Sequence, residues 1–320
     1  MLRVVFIGTR GEFTLQPLRA ILAAHVVVAI VQSAPRDGID DAPSPAERIA
    51  DGLGALTGRP SLKTIAQRRG IPFLRLTPRN LPELRTLLAG LQPDVGCIAS
   101  MNQLLPEDCF SLPRHGFINF HPSLLPRFRG PNVWFWQYHE MDTQGGATII
   151  RIDRGEDTGE ILRQESFPVP LGLPPERLQE QAIALGTRLT LATLDDLETG
   201  RATPRSQRDL PCSVRARYLR DGDELFAWEK WTPEQTFHFL RGTEPWYTAL
   251  SPEHGWLGHL DWRATGFTIA PPSTSSGKIR LDRCGAYFAH PGGKIRLRPR
   301  RILWRILLLT VLVVAVARLW

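Results

Sequence analysis

The sequence holds only four cysteines among 320 residues (Cys97, Cys109, Cys212 and Cys284), and no two stand in a CxxC spacing or beside a histidine in zinc-site fashion. That scarcity predicts a reduced, cytoplasmic chain with no structural metal. The N-terminus lacks the charged, then apolar, then small pattern of a signal peptide, and its first eight residues read instead as a strand. No internal repeat is visible. Gly8-Thr-Arg-Gly11 falls short of a G-x-G-x-x-G fingerprint, which argues against a nicotinamide dehydrogenase. Charged residues make up 22% and are mixed in sign beside 42% hydrophobic residues, which excludes wholesale disorder.

The net charge of +7 invites a polyanion or membrane-surface reading, so its location matters. Residues 1–200 carry a net −2 and residues 221–293 a net −3, whereas 201–220 carry +5 and 294–320 carry +7. The excess therefore belongs to one connecting segment and one tail. In that tail Ile306–Ala317 has eleven apolar residues of twelve, after a run of Lys and Arg. Twelve helical residues reach ~18 Å, and the nineteen of 302–320 reach ~28 Å against a hydrocarbon core of ~30 Å. Two readings stay open: a membrane-associating tail, or a last core strand that frays.

The first 170 residues alternate apolar, strand-like runs (Leu2–Gly8, His25–Gln32, Pro72–Leu76, Val95–Ser100, Gly116–Phe120, Ala147–Ile152) with helical patterns (Thr14–Ala24, Pro82–Leu91, Pro131–Glu140). Runs without polar alternation suit strands buried on both faces, so the expected fold is α/β, with a doubly wound, mostly parallel, Rossmann-like sheet. Residues 34–60 form a long Pro/Gly/Asp-rich excursion, and Pro174–Thr199 reads as a closing helix. Beyond it come a helix near Pro233–Arg241 and short strands (Leu257–Trp262, Lys278–Leu281, Ala286–Ala289, Lys294–Leu297). The predicted division is a catalytic domain over 1–200, a basic linker over 201–213, a small β-rich domain over 214–301 and the tail over 302–320.

The most informative stretch is Gly116–Gly130, GFINFHPSLLPRFRG. Asn119 and His121, two apart at the end of a predicted strand, share one face. Pro122 and Pro126 then force a loop. Downstream lies Asp153-Arg-Gly-Glu-Asp157-Thr-Gly159, an acidic, glycine-punctuated loop after another buried strand. An imidazole, an amide and a carboxylate converging there suit acid–base work on a polarised carbonyl. A His and an Asn beside a Pro-rich turn also serve as turn and cap residues, and spacing alone leaves both readings open.

Asn119-Phe-His121-Pro-Ser-Leu-Leu-Pro126, Arg129-Gly130 and Asp153…Asp157-Thr-Gly159 resemble the N10-formyltetrahydrofolate-dependent formyltransferase family, in its methionyl-tRNA formyltransferase-like form. Val4–Thr9, Ser61–Pro72 and Met101–Pro106 extend the resemblance, and Glu229–Trp246 resembles the start of the family's OB-like C-terminal domain. The resemblance implies a catalytic set of Asn119, His121 and Asp157. Protonated His121 and Asn119 would stabilise the oxyanion formed when an amine attacks the formyl carbon, and Asp157 would support the imidazolium. It further implies that Gln103, Leu104, Leu105, Ser123, Leu124, Leu125, Pro126, Asp153, Arg154, Gly155 and Glu156 enclose the 10-formyltetrahydrofolate, with no metal.

The implied partners are this folate co-substrate and an amine acceptor, either initiator methionyl-tRNA or a small amine such as an amino-sugar nucleotide. The implied location is cytoplasmic, with a membrane surface available to 294–320. Two features depart from tRNA-acting members: the 34–60 loop is acidic, net −2, and Pro245-Trp246-Tyr247 replaces a Pro-Trp-Pro-Gly. An acidic loop is poorly suited to phosphates. A non-catalytic, membrane-tethered relative is the remaining alternative.

Overall fold

The structure is a computed structural model that describes residues 1–35, 60–208, 210, 214–271 and 276–300. Most of the acidic 34–60 excursion, part of the basic connecting segment and the whole 302–320 tail lie outside the described residues. Among the described residues no helix is long and apolar enough to cross a membrane. The chain divides into two compact units.

The first unit comprises Met1–Val133, Gln144–Pro168 and Leu178–Tyr218. Its apolar runs become five parallel strands, β1 (Arg3–Gly8), β2 (Val26–Ser33), β3 (Phe73–Leu76), β4 (Val95–Ala99) and β5 (Phe117–His121). Successive side chains of one strand enter different layers. Val4 and Phe6 join Leu18, Ile21, Ile118 and Phe120 on one face, while Val5 and Ile7 join Leu84, Leu88, Ile98 and Phe117 on the other. A strand of period two with both faces covered leaves no place for polar alternation, which is why the runs are continuous.

Helices α1 (Glu12–Ala24), α2 (Leu62–Arg69), α3 (Leu81–Leu91), the short α4 (Glu107–Phe110), α5 (Val133–His139) and α6 (Pro175–Thr199) punctuate the strands. Helix α2 is capped at both ends: the Ser61 hydroxyl accepts from the Thr64 N–H at 3.2 Å, and Gly70 ends the helix at φ 64°.

The sheet order is β3-β2-β1-β4-β5-β6-β7, where β6 (Gln144–Arg151) and β7 (Ile161–Pro168) are antiparallel additions. Order reverses between β1 and β4, so the carboxyl ends of β1, β4 and β5 open along one edge, where ligands bind in such sheets. Strand β7 is absent from the apolar runs of the sequence because its residues, ILRQESFP, bury only Ile161. The basic segment after α6 lies along this unit. Arg205 and Ile161 exchange two backbone hydrogen bonds of 2.8 Å, Phe128 N–H donates to the Val214 carbonyl, and Ala216 N–H donates to that of Arg129.

The second unit gathers Trp134–Thr143, Val169–Arg177 and the chain from Leu219 onward. Its antiparallel sheet has the order β8-β11-β10-β9, from β8 (Trp262–Ile269), β9 (Ile279–Asp282), β10 (Gly285–His290) and β11 (Gly293–Pro299). Helix α7 (Pro233–Gly242) packs on β8 and β11. The strand expected over Leu257–Trp262 is not one. Trp256–His259 is a 3-10 turn entered through Gly255 at φ 99°, and the strand begins only at Trp262. A short apolar run does not distinguish a strand from a tight turn. Rings fill the centre: fully buried Phe239 lies 4.9 Å from Trp231, 5.8 Å from Phe226 and Tyr247, and 5.9 Å from Phe135.

Candidate active site

Strand β5 ends at His121, and the chain cannot continue as strand through Pro122. The loop that follows is fastened from beneath by one buried hydroxyl. Thr148 Oγ1 donates to the Ser123 carbonyl at 2.5 Å and accepts from the Leu125 N–H at 3.2 Å and from Gln164 Nε2 at 2.9 Å. Gln164 Nε2 also reaches the Leu125 carbonyl at 2.8 Å. Thr148 sits opposite His121 in the β5–β6 register, so the pairing of two strands decides where the loop is held.

Because β6 runs against β5, the acidic loop leaves at the wrong end of the sheet to meet His121 directly. It has to double back. Gly159 makes the return possible: a Cβ there would stand 1.7 Å from the Arg151 carbonyl oxygen. Asp153 stiffens the loop through its own Oδ1, which accepts from the Gly155 N–H at 3.0 Å and from Thr158 Oγ1 at 2.7 Å. At Asp157 the backbone takes φ 55°, a left-handed conformation that aspartate tolerates better than most residues.

The result is a convergence of three side chains from one strand and one loop, joined by a backbone N–H from a second loop. Asp157 Oδ1 lies 3.4 Å from Asn119 Nδ2, Asp157 Oδ2 lies 3.5 Å from His121 Nδ1, and the Gly130 N–H donates to Oδ2 at 2.9 Å. Gly130, at φ 115°, approaches the Ala216 carbonyl so closely that a Cβ would come within 2.8 Å of its oxygen.

The opposite ring nitrogen, His121 Nε2, is 2.9 Å from the Phe128 carbonyl. A carbonyl can only accept, so Nε2 donates in this contact, while Nδ1 faces the Asp157 carboxylate. Buried His121 is thus engaged on both sides. Half-buried Asn119 makes one long contact, which leaves its second N–H for a ligand.

The other residues singled out in the sequence divide. Gln103 turns its amide toward the end of β2, accepting from Ser33 Oγ at 2.5 Å and donating to the Ala34 carbonyl at 3.1 Å. Leu104 is 69% exposed in the loop after β4, whereas its neighbour Leu105 is buried in the sheet layer. Ser123 is buried and donates to the Arg127 carbonyl at 2.9 Å, Leu125 packs with Ile150 and Ile161, and Leu124 and Pro126 are partly buried between them. Arg154 pairs with Glu107 and Glu156 with Arg215. Among the described residues no three His, Cys, Asp or Glu side chains are grouped to hold a metal.

Sequence reasoning missed Thr148, Gln164 and Gln207. Gln207 lies in the segment read as a linker, yet its Nε2 donates to the carbonyls of Asp157 and Gly159 at 3.2 and 2.6 Å. Its Oε1 accepts from Arg129 Nη2 at 2.9 Å.

A family model described as formyl transferase matches residues 12–193. The methionyl-tRNA formyltransferase of Geotalea uraniireducens (strain Rf4) is 31% identical over 295 residues, covering 92% of this chain and 88% of that protein. That of Trichlorobacter lovleyi is 32% identical over 287 residues, covering 88% and 86%. Among solved structures, a sugar 3N-formyl transferase crystallised in the presence of dTDP and 5-N-formyl-THF superposes with a TM-score of 0.64 at 16% identity, covering 95% of this chain and 99% of that one. An N-formyltransferase from Helicobacter canadensis, in complex with folinic acid and dTDP-3-aminofucose, gives 0.61 at 15% identity, covering 94% and 100%. Those two likenesses concern the fold. The sequence matches, which span more than half of the chain for the model and nearly all of it for the relatives, establish that this chain belongs to the formyl transferase family and is an enzyme of that family.

Proposed function

We propose that the chain transfers the formyl group of N10-formyltetrahydrofolate to the primary amine of methionyl-tRNA. The observation that carries this reading is the meeting of Asn119, His121 and Asp157 within 3.5 Å at one strand end. The donor supplies an electrophilic formyl carbon. Asn119 directs its spare N–H at the formyl oxygen as negative charge develops there. His121 brings a positive charge beside it and turns its Nε2–H from the Phe128 carbonyl to the oxyanion. Asp157 would hold the imidazolium and take the proton that the attacking amine loses; when the oxyanion re-forms the carbonyl, the bond from the formyl carbon to N10 breaks and that proton goes to N10, so that tetrahydrofolate leaves.

The residues present fit a folate in one respect and restrict it in another. Exposed Leu104 offers an apolar face in the loop next to β5, and the peptide groups of Leu104, Leu105, Ser123–Pro126 and Asp153–Glu156 would meet the edge of a pterin. The Ser123 and Asp153 side chains are already spent on their own loops and that of Gln103 on the end of β2, so they would shape this surface rather than contact the ring.

The name borne by relatives across most of the chain supports methionyl-tRNA as the acceptor. The acidic composition of residues 34–60 favours a second reading, a small amine such as an amino-sugar nucleotide, because phosphates dominate binding to nucleic acid. An acceptor screen decides. With N10-formyltetrahydrofolate as donor, charged initiator tRNA should be formylated at a rate that falls steeply with salt. Salt-independent formylation of an amino-sugar nucleotide, with tRNA inert, would replace that acceptor with the second.

A further inference from the structure

We propose that Gln207 is a positioning residue for the transfer, its side-chain amide keeping the Asp157 carboxylate in register with His121 and Asn119. This rests on the active-site reading above and adds to it a residue outside the sequence motif. Gln207 is 2% exposed, and every hydrogen-bonding direction of its amide leads into the site. Nε2 donates to the carbonyls of Asp157 and Gly159, while Oε1 accepts from Nε and Nη2 of Arg129 at 3.3 and 2.9 Å. The partners fix the orientation of the amide: exchanging its oxygen and nitrogen would set an oxygen against two carbonyls and an NH2 against a guanidinium.

One planar amide therefore spans two loops. The loop 128–130 presents the Phe128 carbonyl to His121 and the Gly130 N–H to Asp157; the loop 157–159 carries the carboxylate itself. The carboxylate's contacts to Asn119 and His121, at 3.4 and 3.5 Å, already sit at the long end of hydrogen bonding. A shift of a few tenths of an ångström between the loops would break them. Gln207 is itself anchored two residues earlier, where Arg205 pairs with Ile161 at the start of β7. A buried glutamine that only satisfied loose carbonyls would affect stability and leave the reaction alone. A positioning glutamine acts on turnover through Asp157.

The test compares full-length wild type with Gln207→Leu, Gln207→Glu, Asp157→Asn and the Gln207→Leu/Asp157→Asn pair. Each is assayed with N10-formyltetrahydrofolate and whichever acceptor the wild type takes, methionyl-tRNA or an amino-sugar nucleotide. A 1 Å displacement of a reacting group costs about 100-fold, so kcat of Gln207→Leu should fall about 30- to 100-fold, with KM for the folate changed less than about threefold. In the Asp157→Asn background the same substitution should cost less than about threefold, because the group it positions is gone.

Gln207→Glu keeps the acceptor for Arg129 but loses the donor when ionised. Its kcat should climb as pH falls and the new carboxyl regains its proton, a limb that wild type and Gln207→Leu lack. This pH profile decides the matter even if Gln207→Leu does not fold. A normal kcat in both Gln207 variants beside an impaired Asp157→Asn overturns the proposal alone, as does a full, independent loss in the double variant. A normal rate in Asp157→Asn overturns the active-site reading together with it.

Discussion

The proposed reacting end of the first unit, around buried His121, and the aromatic centre of the second are held by opposite means. Around His121 and Asp157 the contacts are single hydrogen bonds from individual atoms: the Gln207 amide and the Gly130 N–H on Asp157, and the Thr148 hydroxyl under the loop after β5, each with a direction. Around Phe239 the contacts are ring faces and edges that tolerate a range of angles, from 13° against Phe226 to 81° against Phe135. Directional bonds fix positions to tenths of an ångström but yield only about 1 kcal/mol each in net stability, whereas an aromatic ring buried in full contributes several times that. The first region should therefore govern rate with modest effects on folding, and the second folding with modest effects on rate.

The largest effect expected is on the aromatic side of that contrast. Phe239→Ala removes a fully buried ring and should destabilise the protein by about 4 kcal/mol. Denaturant unfolding followed by tryptophan fluorescence reads this directly, since the seven tryptophans among the described residues fall in the second unit. A loss below about 1 kcal/mol would mean that the rings do not form a packed core.

Next comes the reacting end. His121→Ala should lower kcat by at least about two orders of magnitude, equivalent to roughly 3 kcal/mol. Its unfolding midpoint should stay near that of wild type. Steady-state kinetics beside calorimetry measures both; near-normal turnover would remove His121 from the chemistry, and a collapsed midpoint would erase the contrast.

The smallest of the three concerns acid. Burial pushes the His238 imidazole down to about 4, and its Nδ1 already accepts from the Gly172 N–H at 3.0 Å. The unfolded chain therefore binds a proton that the folded chain refuses. The stabilisation is complete above the unfolded value near 6.5 and is lost as pH falls toward 4, on the order of 2 kcal/mol of it by pH 4.5. Unfolding of wild type and His238→Phe across pH 7 to 4.5 should show a slope in the first that flattens in the second. Parallel slopes would assign the acid sensitivity to other groups.

What could be read from the sequence follows the same division. Val4, Val5, Phe6 and Ile7 announced a strand covered on both faces, because burial writes itself into composition. Asn119 and His121 announced a shared face, because strand period is fixed by backbone geometry. The approach of Asp157 came from the resemblance; spacing could not reveal a loop that doubles back along an antiparallel neighbour. Strand β7 carries too few apolar residues to stand out, and the apolar Trp256–His259 turn carries enough to mislead. Gln207 was invisible for a deeper reason. Two of its partners are backbone carbonyls, which every residue possesses, so no pattern of residue types marks the contact.

The late position of that glutamine has a bearing on how the protein is made. A ribosome that has delivered the chain as far as Thr199 has already supplied Asn119, His121 and Asp157, all seven strands of the first sheet and the helix that covers it. The carbonyls of Asp157 and Gly159 must still wait for Gln207, and Gly130 for the Ala216 turn beside it. A nascent chain in this interval would have its fold but not its aim. On the role proposed for Gln207, a product cut at residue 199 would hold Asn119, His121 and Asp157 and lack the amide that aligns them.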